Sequence, residues 1–159
     1  MRAGSGVIPM ANGRQRGEHG CMNATTDIHD IVIVGSGAQA VLAIQRAQRN
    51  GMHPVVVPRD PSRVDLLHRP LRVWDGSREI RAHAIVIADG GRTLAPVYRD
   101  WLAHDRFGRL ITAEDSTRTN VAGVFAAGRQ AVADALHWIR SVSARDTLFP
   151  DSGDRLAAA

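Results

Sequence analysis

Gly35, Gly37 and Ala40 stand at the spacing G-x-G-x-x-A, and the chemistry this spacing serves is the holding of a pyrophosphate. Gly35 permits a sharp turn, Gly37 lets the backbone come close to phosphate oxygens, and the small Ala40 lets a following helix pack tightly on its strand. The backbone around Ser36, Gly37, Ala38 and Gln39 then turns N–H groups toward an anion, with the positive end of the helix dipole behind them. A site of this kind uses a ribose-binding acid roughly 20 residues further on. Val57-Pro-Arg-Asp60 offers Asp60 slightly late, preceded by Arg59. Asp60 can take ribose hydroxyls, while Arg59 and Arg63 can clasp a 2′-phosphate through bidentate guanidinium geometry. A Pro58/Pro61 turn carrying solvated charges is the plain alternative.

A second chemistry-bearing segment is Gly128-Arg129-Gln130-Ala131. The apolar run Val124 to Ala127 leads into Gly128, after which Val132, Leu136, Ile139 and Val142 recur on one helical face. A strand feeding a helix through glycine makes an opening at the helix N-terminus sized for a phosphate or a ribityl chain.

Other chemistries find no support. Cys21 is the only cysteine, which excludes an intrachain disulfide, a Cys-x-x-Cys pair and a cysteine-rich metal site. The seven histidines share no metal-ligand spacing, so no metal site is expected. Ser36 sits in a G-x-G turn and not in a Gly-x-Ser-x-Gly elbow, and no catalytic residue is assigned. His137 and Trp138 are read as packing or surface positions on a helix.

The elements that must position these residues are legible as apolar runs. Asp30-Ile-Val-Ile-Val34 suits a strand buried on both faces, a helical pattern follows through Val41, Ile44 and Ala47 to Gly51, and Pro54 to Val57 reads as a second strand. Leu71 to Trp74, an Asp75-Gly76 turn and Arg78 to Arg81 make a hairpin. Ala84 to Ala88 is another buried strand, ending at Asp89-Gly90-Gly91. The predicted architecture is α/β: a Rossmann-like FAD/NAD(P)-binding fold whose mostly parallel sheet (30–34, 54–57, 84–88, 123–127) has helices 38–50 and 131–143 on both faces, with a β-hairpin insertion. Ligands are expected at the carboxyl ends of the strands, near Gly35, Gly37 and Gly128.

Thr119-Asn-Val-Ala-Gly-Val-Phe-Ala-Ala-Gly-Arg129 resembles a string in the low-molecular-weight thioredoxin reductases and related flavin-dependent pyridine-nucleotide oxidoreductases. In that family the string ends Ala-Ala-Gly-Asp, and the aspartate holds the ribityl chain of FAD; here the place is taken by Arg129. Ala84 to Gly90 is similar to the strand closing the family's NADPH domain, Phe107-Gly-Arg-Leu-Ile111 to its next short strand, and Arg129-Gln-Ala-Val132 to the Arg-Gln-Ala segment whose backbone meets the flavin ring. The family's loop between Gly-Asp and Arg-Gln-Ala is missing. The resemblance spans about 29–142 and is specific in 84–132, and the first half matches either nucleotide domain of the family. It implies an FAD/NAD(P)-binding oxidoreductase-like protein without its own dithiol centre, or a redox-inactive nucleotide-binding or partner-binding descendant. It also implies that a homodimer or a partner supplies the missing domain. Loss of the carboxylate-to-ribityl bond removes about 1.5–3 kcal/mol, so the resemblance implies weakened FAD binding, with NAD(P) as the other cofactor.

Composition sets the remaining bounds. The 159 residues with 44% hydrophobic content suit one domain and one core. The net charge of +4 comes from 20 arginines and no lysine, spread along the chain among acids with few aromatics, which argues against nucleic-acid binding. The expected organisation is a flexible Gly-rich leader over 1–26, one domain over 27–145 and a flexible tail over 146–159, with Met1, Met10 and Met22 as candidate starts. No window approaches about 20 apolar residues, and the N-terminus has no apolar secretory core, so a cytoplasmic protein is expected.

Overall fold

A computed structural model describes residues 27–90 and 92–148; the leader expected over 1–26 and the end of the expected tail lie outside the described residues. The chain runs through β1 (Ile28–Gly35), α1 (Ala38–Arg49), β2 (Val55–Val57), β3 (Arg63–Asp65), β4 (Leu71–Asp75), β5 (Arg78–Ala88), a 3-10 turn (Pro96–Tyr98), β6 (Val124–Ala126) and α2 (Ala131–Leu148).

β1 shows why a continuous apolar run becomes a central strand. Successive side chains point to opposite faces. Ile31 and Ile33 enter one core, Val32 and Val34 the other, and all four are buried. Each such side chain contributes about 1.5–3 kcal/mol on burial, which fixes the register. β1 pairs in parallel with β2 on one side and β5 on the other.

The sheet is mixed, and this corrects the mostly parallel, Rossmann-like fold with helices on both faces that the apolar runs predict. Its order is β2-β1-β5-β4-β3, with β6 also paired to β5. β3, β4 and the first half of β5 form an antiparallel meander, whereas β6 lies parallel to the end of β5. The runs at 78–81 and 84–88 are one strand of 11 residues. Its first half alternates between buried and solvated positions, as a meander strand does, and its second half is buried on both faces. Asp75 pairs with Arg78 across a two-residue turn, a connection that only antiparallel strands can make.

Both helices lie on the same face. Ala40, Ala43 and Ala47 of α1 and Ala131, Val132, Ala135 and Ile139 of α2 share one core with Ile31, Ile33, Ala84, Val86, Ala88 and Phe125. The opposite face is closed by Val64, Leu66, Leu71 and Val73 of the meander region together with Leu94, Tyr98 and Leu102. The buried face of α1 is thus its alanine stripe, and Val41, which the helical pattern assigns inward, is 50% exposed. Small side chains let α1 sit close to the sheet. The 107–111 segment forms only an isolated bridge, Leu110 to His104, in place of the short strand expected from the resemblance. α2 runs to Leu148, past the expected domain end at 145.

Candidate functional site

The connections from β1 and β5 leave the sheet in opposite directions. After Gly35 the chain enters α1 on the helical face and returns in β2; after Ala88 it crosses to the other face through the 92–102 segment before reaching β6. Diverging connections leave a crevice outside the carboxyl ends of the two strands, which is where parallel strands hold ligands. A cavity of about 540 Å³ lies there, within the range of about 300–1,000 Å³ common for ligand sites.

Gly35, Ser36, Gly37, Ala38 and Gln39 line this cavity, and so do Arg59 and Asp60 at the end of β2. The two glycines do different things. Gly35 has φ +125°, and a Cβ there would be driven into the backbone carbonyl of Ala88 on β5. Gly37 has φ +91° with nothing within 4 Å of the Cβ position, so its missing side chain leaves open space above the helix start. Gly37 is the N-cap of α1; no side chain caps that end, and no acid stands in the first turn. Val41 N–H bonds the Gly37 carbonyl at 3.1 Å, which starts the helix and leaves the preceding N–H groups turned toward the cavity end of the dipole.

The other walls come from the end of β5 and the segment after it. Asp89, Gly90, Arg92, Thr93, Leu94, Ala95 and Tyr98 complete the lining. None of these is among the site residues read from the sequence, although a rule already applied to Gly35 and Gly128, that ligands meet strand carboxyl ends, points equally to Asp89. Tyr98 carries no signal in the sequence; its 3-10 turn has Pro96 at its start, and it is buried in the core cluster that also holds Val34 and Ile87. It is 1% exposed, and its hydroxyl has no hydrogen-bond partner among the described residues. Burial, and then the charges of Asp60 and Asp89, push its ionisation well above the ordinary tyrosine range, so it is a neutral donor.

Arg63 does not join Arg59. It lies on β3 with its guanidinium 4.8 Å from the centre of the Trp74 ring, a cation–π contact on the meander. Of the two arginines expected to clasp a 2′-phosphate, only Arg59 lines the cavity, and Arg92 is a second cation on its wall.

Gly128, Arg129, Gln130 and Ala131 do not line this cavity. Arg46 of α1 donates to the carbonyls of Arg129 at 2.6 Å and Gly128 at 3.3 Å. Arg129 and Gln130 are exposed, and Ala131 is buried in the helical core with its N–H on the Gly128 carbonyl at 3.3 Å. Just inside α2, Asp134 accepts from the Thr117 hydroxyl at 2.7 Å, the Thr117 N–H at 3.1 Å and the Ser116 hydroxyl at 3.3 Å. Burial pushes the Asp134 carboxyl upward, and these bonds with the nearby Arg118 charge outweigh it, so it stays below the usual carboxylate range. A second recess of about 430 Å³, lined by Asp89, Asp105, Arg109, Thr117, Ala126 and Ala127 among others, adjoins the first at Asp89.

Among the described residues no group of three or more metal-ligating side chains comes together, and no helix is long and apolar enough to cross a membrane. No protein-family model matches the chain, and no curated protein matches it significantly.

Proposed function

We propose that this chain binds a dinucleotide cofactor, FAD or NAD(P), through the ADP half in the cavity above β1, and is oxidoreductase-like in the sense that the cofactor carries the redox chemistry. The observation that supports this reading best is the convergence of two separate sequence features on one cavity: the Gly35–Gln39 turn with its uncapped helix end, and Arg59-Asp60 from the end of β2. The helix end suits the pyrophosphate, Asp60 suits ribose hydroxyls, and Arg59 and Arg92 suit further phosphate charge. The single Cys21 leaves dithiol chemistry to another protein. A cytoplasmic setting belongs to the same proposal, as does descent from the thioredoxin reductase-like oxidoreductases.

Titration of the purified protein with ADP, FAD and NADP⁺, followed by calorimetry and by thermal shift, tests it. Saturable binding of ADP that is lost in Gly37→Val is expected; absence of binding by all three would overturn the proposal. If FAD binds, bleaching of its visible absorbance by NADPH without oxygen is the check of redox function.

A redox-inactive nucleotide-binding module is the second reading, and one observation favours it. The 128–131 segment, which the resemblance assigns to the ribityl and flavin end, has its Gly128 and Arg129 carbonyls engaged by Arg46 and stands off the cavity. ADP and FAD binding with equal affinity, with no flavin reduction, is its signature.

A further inference from the structure

The second recess has no part in holding ADP, and it lies where a longer ligand would continue. The strand ends stand in the order β2, β1, β5, β6 across the sheet. Arg59 and Asp60 follow β2, the Gly35–Gln39 turn follows β1, Asp89 follows β5, and Ala126 and Ala127 stand at the end of β6. The cavity above β1 is lined from the first three of these and the second recess from the last two, with Asp89 on the wall of both. At about 4.8 Å between neighbouring strands, the four ends extend over about 14 Å. A ligand with its pyrophosphate at the start of α1 and one ribose near Asp60 sends its other substituent toward β5 and β6.

The two recesses differ in chemistry. The cavity above β1 sets Arg59, Arg92 and the uncapped start of α1 against Asp60 and Asp89, and so accommodates phosphate. The second recess has two carboxylates, Asp89 and Asp105, and one guanidinium, that of Arg109, which donates to Asp105 at 3.2 Å. Ser116 and Thr117 on its wall both donate to Asp134, at 3.3 Å and 2.7 Å, so their hydroxyls have only lone pairs left for a ligand. Thr112 adds a hydroxyl that can serve either way. The excess negative charge disfavours a further phosphate, and the acceptors call for O–H groups on a neutral ligand.

We infer that the second recess is a subsite for a neutral polyhydroxylated group joined to the pyrophosphate, a ribosyl or ribityl chain, so that the protein selects nucleotides extended by such a group over nucleoside diphosphates. This rests on the nucleotide-binding reading and adds to it the place and chemistry of the ligand's distal half.

The experiment titrates the full chain by calorimetry with ADP, ATP without magnesium, ADP-ribose, and the methyl ester of ADP at its terminal phosphate, which matches ADP-ribose in charge and lacks its second sugar. ADP-ribose is expected to bind about 5- to 160-fold more tightly than the methyl ester, the worth of two neutral hydrogen bonds, and ATP no more tightly than ADP. Thr112 is exposed on the recess wall and belongs to no strand or helix, so Thr112→Trp fills the recess without entering the core. It is expected to abolish the gain for ADP-ribose and to leave the methyl ester unchanged. NAD⁺ and FAD separate the two kinds of chain: a loss in Thr112→Trp for NAD⁺ assigns the recess to the ribosyl group, a loss for FAD assigns it to the ribityl chain, and a loss for neither would overturn the inference. Equal wild-type affinities for ADP-ribose and the methyl ester, or tighter binding of ATP than of ADP, would also overturn it while leaving nucleotide binding intact. Failure of the wild type to bind ADP at all would remove both readings together.

Discussion

Gly35 and Ala88 are register partners on β1 and β5, and they touch backbone to backbone: a Cβ on Gly35 would stand 2.8 Å from the Ala88 carbonyl carbon and 3.3 Å from its Cα. Neither neighbour is a flexible side-chain end, so nothing can yield cheaply. The strand must also turn here at φ +125°, outside the reach of L side chains. Gly35→Ala is therefore expected to destabilise the fold by about 2–6 kcal/mol, the sum of overpacking and backbone strain, measured by urea unfolding. A loss below about 1 kcal/mol would mean that β1 and β5 separate at this end more easily than their pairing indicates.

Two residues later the same substitution has the opposite profile. The Cβ position of Gly37 meets nothing within 4 Å, so Gly37→Ala bears only the strain of φ +91°, about 1–3 kcal/mol. On the proposed nucleotide-binding reading, the new methyl stands where a phosphate oxygen would approach the helix start. Expected is a folded protein with ADP affinity reduced tenfold or more, read by calorimetry. Retained affinity would place the phosphate elsewhere.

Asp134 ties α2 to the 116–117 segment and carries a pH signature. Its folded pKa lies below the unfolded value of 3.8, so its contribution is present above that value and is lost as pH falls through the folded pKa. Asp134→Asn is expected to cost roughly 1–2 kcal/mol at neutral pH, allowing for partial exposure. The gap between variant and wild type should narrow in acid below pH 3.8, as pH falls through the folded pKa. A gap that is constant from neutral pH to acid would assign the loss to geometry and not to charge.

Much of the architecture is legible in the chain. The runs 31–34 and 84–88 are buried on both faces, a burden that only apolar residues carry, and a strand running into Gly35-Ser-Gly37 needs no tertiary information to be recognised. What failed were inferences about faces and neighbours. Arg78 to Ala88 changes from antiparallel to parallel partners along one strand, and a change of partner leaves no mark in periodicity beyond the shift from alternating to continuous burial. The alanine stripe of α1 is outweighed by the larger Val41 because hydropathy counts size, whereas close packing on the sheet selects smallness. Tyr98 is buried in a core assembled from strands along most of the chain, which no local pattern marks.

Arg129, which the resemblance places at the ribityl chain of FAD, is exposed and does not line the cavity above β1. Restoring the family-like aspartate is expected, from the resemblance alone, to strengthen FAD binding. The structure puts the Arg129 side chain on the surface, with its carbonyl 2.6 Å from an Arg46 guanidinium nitrogen and the cavity lined by other residues. A carboxylate at 129 then meets the start of α2 and not a ligand. It should stabilise that helix end by about 0.3–1 kcal/mol and leave ADP and FAD affinities unchanged within about twofold. The discriminating measurement is a thermal melt of Arg129→Asp beside calorimetric titrations of both nucleotides. A higher melting point with unchanged affinity fits the Arg46 tether, whereas a tenfold gain for FAD with none for ADP would show that the 128–131 backbone leaves Arg46 to meet the ribityl chain.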